Sequence, residues 1–172
     1  MGSGAHTEHT TRLATPDDAD EIARLLHDFN REFDVASPGA GVLAPRLRAL
    51  LATDATVAIV SGTPGTPGTP GTPGTPIVGL ALVTLRPNVW YDGPVALLDE
   101  LYVVPDRRNE GIGSAIIGHL LSLARERRVG LIEINVDEPD VDAQRFYVRH
   151  GFSLADLDSG DRAFYMSQEL GT

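Results

Sequence analysis

Two arginines followed at short range by two glycines are the residues of this chain best suited to hold an anion. They stand in the run from Leu101 to Ile117, as Arg107, Arg108, Asn109, Glu110, Gly111, Ile112, Gly113 and Ser114. An arginine supplies fixed charge with bidentate geometry. A glycine lets a ligand approach the backbone with no Cβ in the way. If a helix opens after such a loop, its first amides have no internal partner and point outward, which suits a phosphate. An ordinary turn with surface arginines is the plainer reading of the same residues, and glycines alone do not separate the two. Just upstream, Asp99 and Glu100 interrupt an apolar run, Val95 to Val104. A carboxyl withdrawn from water has its pKa raised towards neutrality, so Glu100 is a candidate general base, with an exposed or arginine-paired carboxylate as the alternative. Asp99 alternates to the opposite face.

The elements that must position these groups follow from periodicity. Thr10 to Ala14 reads as a short strand. The next segment reads as a helix with Thr15 as N-cap, Pro16 at its first position, and Ala19, Ile22, Leu26, Phe29 and Phe33 on one apolar face. A shorter helix covers about Val42 to Ala52, with Pro45 in its first turn. "ATVAIVS" and "IVGLALVTL" are β-rich and pair most simply as a hairpin. Between them lie five copies of a Gly-Thr-Pro triplet, Gly62 to Pro76, expected as a mobile hairpin tip without chemistry. Val95 to Val104 is nearly continuous in apolar residues, as a central strand would be. Gly111 to Arg127 is helical by its spacing of Ile112, Ile116, Leu120 and Leu123, and "LIEINV" is the next strand, parallel to the last. A short helix ends at Gly151, and Phe152 to Leu157 with Arg162 to Glu169 close the chain as a hairpin. The expected fold is a single α/β domain over residues 10–172. Its mixed, strongly twisted sheet has six to seven strands with helices on both faces, and residues 1–9 form a disordered tail.

The bulk properties narrow the partners. The chain has 172 residues, of which 42% are hydrophobic, and a net charge of −10. That charge argues against nucleic acid or an acidic membrane as the main partner. No stretch is long and apolar enough to span a bilayer, and the N-terminus has no apolar signal region, so a cytoplasmic location is expected. Cysteine is absent, which excludes a disulfide, a thiolate metal site and a cysteine nucleophile. The five histidines show no metal-ligand spacing, so no metal is expected. No Gly-x-Ser-x-Gly nucleophile signature is present.

The loop departs from the familiar phosphate binders. A P-loop needs Lys-Ser or Lys-Thr after its second glycine, and a dinucleotide fingerprint needs a small residue where Ile116 stands. Instead, Arg108-x-x-Gly111-x-Gly113 resembles the acyl-CoA motif of the GNAT acetyltransferase superfamily, and Asp99 to Pro105 looks like the strand preceding it. Ala143 to Phe152, "AQRFYVRHGF", is similar to that family's second motif, with one strand between the two. One departure is Asp140, where the family often has Asn.

The resemblance implies acetyl-CoA, or another acyl-CoA, as donor. It would place the pyrophosphate on the amides from Arg108 to Ser114. The pantetheine arm would run along the strand edge at Leu101, Tyr102 and Val103, with Asp140 nearby. It also puts Tyr147 beside the sulfur as candidate acid, a core aromatic being the rival reading. An amine acceptor has a reference pKa of roughly 10.4, so a base such as Glu100 is needed at neutral pH. The family's acceptor wall corresponds here to Asp28, Phe29, Asn30, Glu32, Phe33 and Asp34, with Trp90, Tyr91 and Asp92 as a second wall. Acids beside aromatics suit a cationic small-molecule or peptide amine. The function so implied is direct N-acetyl transfer in a ternary complex, and a homodimer is left open. A non-catalytic acyl-CoA-binding module on the same fold is the alternative, with a dinucleotide-dependent oxidoreductase more distant.

Overall fold

The computed structural model describes residues 9–62, 76–156, 158–168 and 170. Residues 1–8 of the tail expected over 1–9, and residues 63–75 of the Gly-Thr-Pro tip expected over 62–76, lie outside them. The chain divides into two compact units, Met1–Glu133 and Ile134–Thr172.

The first unit is built on a sheet. Strands β1 (Thr10–Leu13), β2 (Thr56–Gly62), β3 (Ile77–Arg86) and β4 (Val95–Val103) pair antiparallel in sequence order, and β5 (Leu131–Ile134) is the neighbour beyond β4. Helices α1 (Ala19–Glu32) and α2 (Ala40–Leu51) cover one face, where Ile22, Leu25, Leu47, Val60, Leu80 and Tyr102 form a closed apolar cluster. Helix α3 (Ile112–Glu126) covers the other face and buries Ile112, Ile116, Ile117 and Leu120. It approaches closely. A Cβ on Gly79 of β3 would fall 2.7 Å from the Cγ2 of Ile112, so only glycine admits the first turn of α3 at that distance. Among the described residues no helix is long and apolar enough to cross a membrane.

The start of α1 is fixed by a buried acid. Pro16–Asp18 form a single tight turn that runs into the helix. Asp18 reaches back to the Thr15 amide at 2.8 Å and takes a bidentate pair of bonds from Arg12 at 2.8 and 2.7 Å. Burial alone would raise its pKa, but the arginine and the Thr15 amide outweigh burial and hold the carboxyl below its ordinary value.

The sheet has five strands rather than the six to seven expected. In the second unit, α4 (Val141–Arg149) forms as expected and Gly151 adopts φ +90° just after its end. No strand follows among the described residues. Asp156 and Asp161 close a turn through the Asp156 amide at 2.9 Å, but the ladder does not continue, and Phe164, Tyr165 and Met166 stand exposed. Alternating sequence does not make a strand without a partner to pair with, and an isolated hairpin is marginal in water.

Candidate active site

The site is assembled on β4 and the loop after it. Along β4 the register with β3 runs Val103↔Gly79, Tyr102↔Leu80, Leu101↔Ala81 and Glu100↔Leu82, and then slips to Leu98↔Val83. Asp99 is the unpaired residue of a β-bulge, a device that re-aims side chains. Directly opposed residues share a face, so Glu100 lies with Leu82, Leu80 and Tyr102 on the α1 side, while Leu98 is buried on the α3 side. Strict alternation would have put Leu98 and Glu100 on one face. Asp99 is exposed and accepts a 2.7 Å bond from the Thr84 hydroxyl. Glu100 is half-buried, and burial first, then the Asp99 charge, push its carboxyl above the ordinary value. Among the described residues it forms no ion pair with an arginine.

The loop has the backbone of an anion cradle. Pro105–Arg107 make a tight turn, Asn109 takes φ +65°, and Gly111 caps α3 with φ +84°. A Cβ on Gly111 would meet nothing within 4 Å, so the backbone there faces open space. The first helical amide to find a partner is that of Ala115, which donates to Gly111 O at 2.9 Å. Among the described residues the amides of Ile112, Gly113 and Ser114 have no backbone partner and are open to a ligand. The Arg108 amide is not, since it donates to Pro105 O at 3.2 Å.

Both loop arginines already hold carboxylates. Arg107 Nε donates to Glu110 at 3.0 and 3.1 Å, and His9 Nε2 lies 3.1 Å from Arg107 Nη2 and 3.2 Å from Glu110 Oε2. Arg108 forms a two-pronged pair with Glu32, the last residue of α1, at 2.7 and 2.9 Å, and its Nε donates to Val103 O at 2.9 Å. The Tyr102 hydroxyl donates to the same Glu32 carboxylate at 3.2 Å. Those arginine bonds hold the Glu32 carboxyl below its ordinary range. The Tyr102 ring is buried, stacked on Phe29 at 4.9 Å, with Phe33 edge-on to Phe29 at 5.2 Å.

The structure thus joins Phe29, Glu32, Phe33, Tyr102 and Arg108 into one cluster. Asn30 lies beside it and donates to Ala36 O at 3.3 Å. Trp90 and Tyr91 are elsewhere. They sit on the turn before β4, at the opposite end of that strand, where Asn88 Oδ1 accepts both their amides at 2.8 Å. Of the α1 acids, Asp28 is paired with Arg24 and Glu32 with Arg108. In the second unit, Asp140 caps α4 by accepting from the Ala143 amide at 3.0 Å, which gives it a plain structural task. The Tyr147 ring packs edge-on against Phe146 at 5.2 Å and Phe152 at 5.7 Å. Sequence reasoning missed the contact of His9 with the loop and the Glu32–Arg108 pair. No local signal reveals either, because the partners are about a hundred and 76 residues apart in the chain.

Residues 64–152 match the model of the acetyltransferase (GNAT) family, a span that includes β3, β4, the loop, α3 and α4. A streptothricin acetyltransferase from Streptomyces lavendulae is 33% identical over 79 residues, which is 41% of this chain and 42% of that protein. The matched part thus spans less than half of that relative. A crystal structure from Arthrobacter sp. FB24 carrying an acetyltransferase assignment is 43% identical, covers 98% of this chain and 100% of that one, and superposes with a TM-score of 0.82. An aminoglycoside acetyltransferase from an uncultured soil metagenomic sample, crystallised with sisomicin, shares the fold with a TM-score of 0.69 at 18% identity over 94% and 97% of the two chains. With the motif loop in place on β4 and α3, the chain belongs to the acetyltransferase (GNAT) family.

Proposed function

We propose that this protein transfers an acetyl group from acetyl-CoA to a primary amine, directly and within a complex that holds both. The observation that carries the reading is the loop itself: open amides at the start of α3, a left-handed Gly111 facing free space, and, three residues before the end of β4, a half-buried carboxyl with no arginine partner among the described residues. The donor's pyrophosphate takes the amides from Asn109 to Ser114, assisted by Arg107. The pantetheine arm follows the edge of β4 at Leu101, Tyr102 and Val103. Tyr102 contributes backbone only, because its side chain is buried.

The amine nitrogen bonds to the thioester carbon and the carbon–sulfur bond breaks. The proton lost by the amine goes to Glu100, directly or through a water, and Tyr147 returns one to the leaving thiolate. No acyl-enzyme forms in this reading, since the chain has no cysteine and no Gly-x-Ser-x-Gly signature of an activated serine. The acceptor is a cationic amine, a reading supported by the streptothricin and aminoglycoside acetyltransferases it is similar to and by Phe29 and Phe33 near acidic residues.

The test is a panel of amines, aminoglycosides and streptothricin-type compounds included, assayed with acetyl-CoA for free thiol release. At least one amine should give saturable turnover with intersecting double-reciprocal lines. Gly113→Val should weaken acetyl-CoA binding about tenfold or more, roughly 1.4 kcal/mol, with the fold retained. Tight donor binding with no turnover across the panel would favour the non-catalytic binding module. An acetylated protein after acetyl-CoA alone would refute direct transfer.

A further inference from the structure

The two arginines of the loop are not equivalent. Arg107 is paired with Glu110 and His9, residues of the loop and of the segment just before β1. Arg108 instead reaches out of the loop to the end of a helix. A guanidinium has five N–H donors. Three of Arg108's are spent, two on Glu32 and one on Val103 O. One prong of each terminal nitrogen is therefore held by a single carboxylate, two N–H groups remain, and the cation lies 5.6 Å from the centre of the Tyr102 ring. Exposed ion pairs usually contribute little, but a bidentate pair inside a network is the exception. This one is such a network, because Glu32 also accepts from the hydroxyl of buried Tyr102. Burial, then the Glu32 bond, raise the pKa of that hydroxyl, which keeps it a donor.

A diphosphate could take the two prongs that Glu32 holds only by displacing it, and at either remaining N–H it would stand beside the Glu32 carboxylate. In either case the carboxylate would repel the phosphates. The loop offers a better solution in its open amides, which need nothing broken.

We propose that Arg108 is a positioning residue rather than a phosphate ligand: its two-pronged bond to Glu32 buckles the end of α1 to the end of β4 and so fixes the chain reversal that carries Phe33 and Asp34. That reversal is also held by backbone bonds, Phe33 N to Phe29 O at 3.3 Å, Asp34 N to Arg31 O at 3.4 Å and Val35 N to Asn30 O at 2.8 Å, and by the Asn30 side chain donating to Ala36 O at 3.3 Å. Asp34 sits there at φ +55°, and Phe33 is 56% exposed. The consequence for catalysis rests on the acyltransfer reading above: the buckle holds one side of the acceptor site in shape while the donor binds to the amides.

The experiment compares Arg108→Gln, Glu32→Gln and the double variant with the wild type. Acetyl-CoA affinity is measured by calorimetry, and hydrogen exchange is followed at the amides of Phe33, Asp34 and Val35. Both single variants should hold acetyl-CoA affinity within about threefold and speed exchange at those amides about tenfold or more. The double variant should do no worse than either single one, since both remove the same bond. With an acceptor from the amine panel, both should raise its KM and leave kcat near the wild-type value, a split that a general loss of stability would not give. If Arg108→Gln does not fold, Arg108→Lys keeps the charge, loses the fork, and should show the faster exchange with donor affinity intact. The proposal is overturned if the arginine variants lose about tenfold in acetyl-CoA affinity while Glu32→Gln gains it, which would make Arg108 a phosphate ligand restrained by Glu32. Unchanged exchange in both variants would overturn it equally. A wild-type protein that binds no acetyl-CoA would instead refute the donor assignment, and the exchange comparison would then decide the buckle by itself.

Discussion

Asp18 at the start of α1 and Glu100 in the middle of β4 are both carboxyls drawn away from water, yet their protonation shifts in opposite directions. Asp18 is the more buried of the two, at 9% exposed, and its pKa is lowered. Glu100 is half-buried, and its pKa is raised. The difference is the partner. Asp18 receives a two-pronged bond from Arg12 and another from the Thr15 amide. Glu100 has no such partner among the described residues and has the like charge of Asp99 beside it. Burial sets the cost of the charge, and the partner decides whether that cost is met. A paired acid keeps its charge to lower pH, whereas an unpaired one keeps its proton to higher pH.

The linkage to stability has opposite signs at the two sites. Asp18, with a lowered folded pKa, contributes stability that is complete above the ordinary carboxylate value and is lost as pH falls through the lowered one. Glu100 keeps its proton longer in the fold than in the unfolded chain, so its contribution falls as pH rises from the ordinary value through the raised one.

The contrast can be broken most severely at Glu100. Glu100→Gln should lower turnover about a hundredfold, as for loss of a positioned general base, while the melting temperature at neutral pH holds or rises. A variant with full turnover would make Glu100 structural. Next in size, Arg12→Gln leaves Asp18 buried without its arginine. We expect a loss of about 1–3 kcal/mol by denaturant titration, with the Asp18 contribution to the pH dependence reversing towards the Glu100 pattern. Activity per folded molecule should be unchanged. Asp18→Asn keeps an acceptor for the Thr15 amide but loses the charge, so it should cost about 1 kcal/mol and remove this acid's share of the acid-side stability loss. The smallest effect sharpens the comparison. Asp99→Asn keeps the Thr84 bond and removes the like charge, so the acid limb of kcat/KM should move to lower pH with little change in its plateau. An unmoved limb would mean that Glu100 is not the group that titrates there.

The turn and helix start of the Gly-rich loop were legible because their signal is local. Arg107 to Ser114 lies within one turn and one helix start, where glycine conformation and helix-end amides act over a few residues. The order of helices and strands from Thr10 to Arg149 was legible for the same reason, since periodicity is a property of each segment alone. The closing hairpin was misread because Arg162 to Glu169 carries an alternating pattern while its pairing depends on what lies alongside. Trp90 and Tyr91 were grouped with Phe29 and Phe33 by residue type, and the topology put them at opposite ends of β4.

By itself, the sequence determined that an apolar strand must carry two acids into a glycine loop and a helix, and that no cysteine takes part in the chemistry. Those outcomes depend on composition and on contacts within a few residues. Only the tertiary structure decided that Asp99 stands in a bulge, bonded to Thr84 and near enough to raise the Glu100 pKa rather than simply alternating away, because the bulge is defined by the register with β3. It alone decided that Arg108 meets Glu32 and Arg107 meets His9, since side chains so far apart along the chain come together through packing of the elements between them. The sign of each carboxyl's pKa shift followed from those same meetings, because burial can be anticipated from an apolar run, whereas the partner that meets the charge is chosen by the fold.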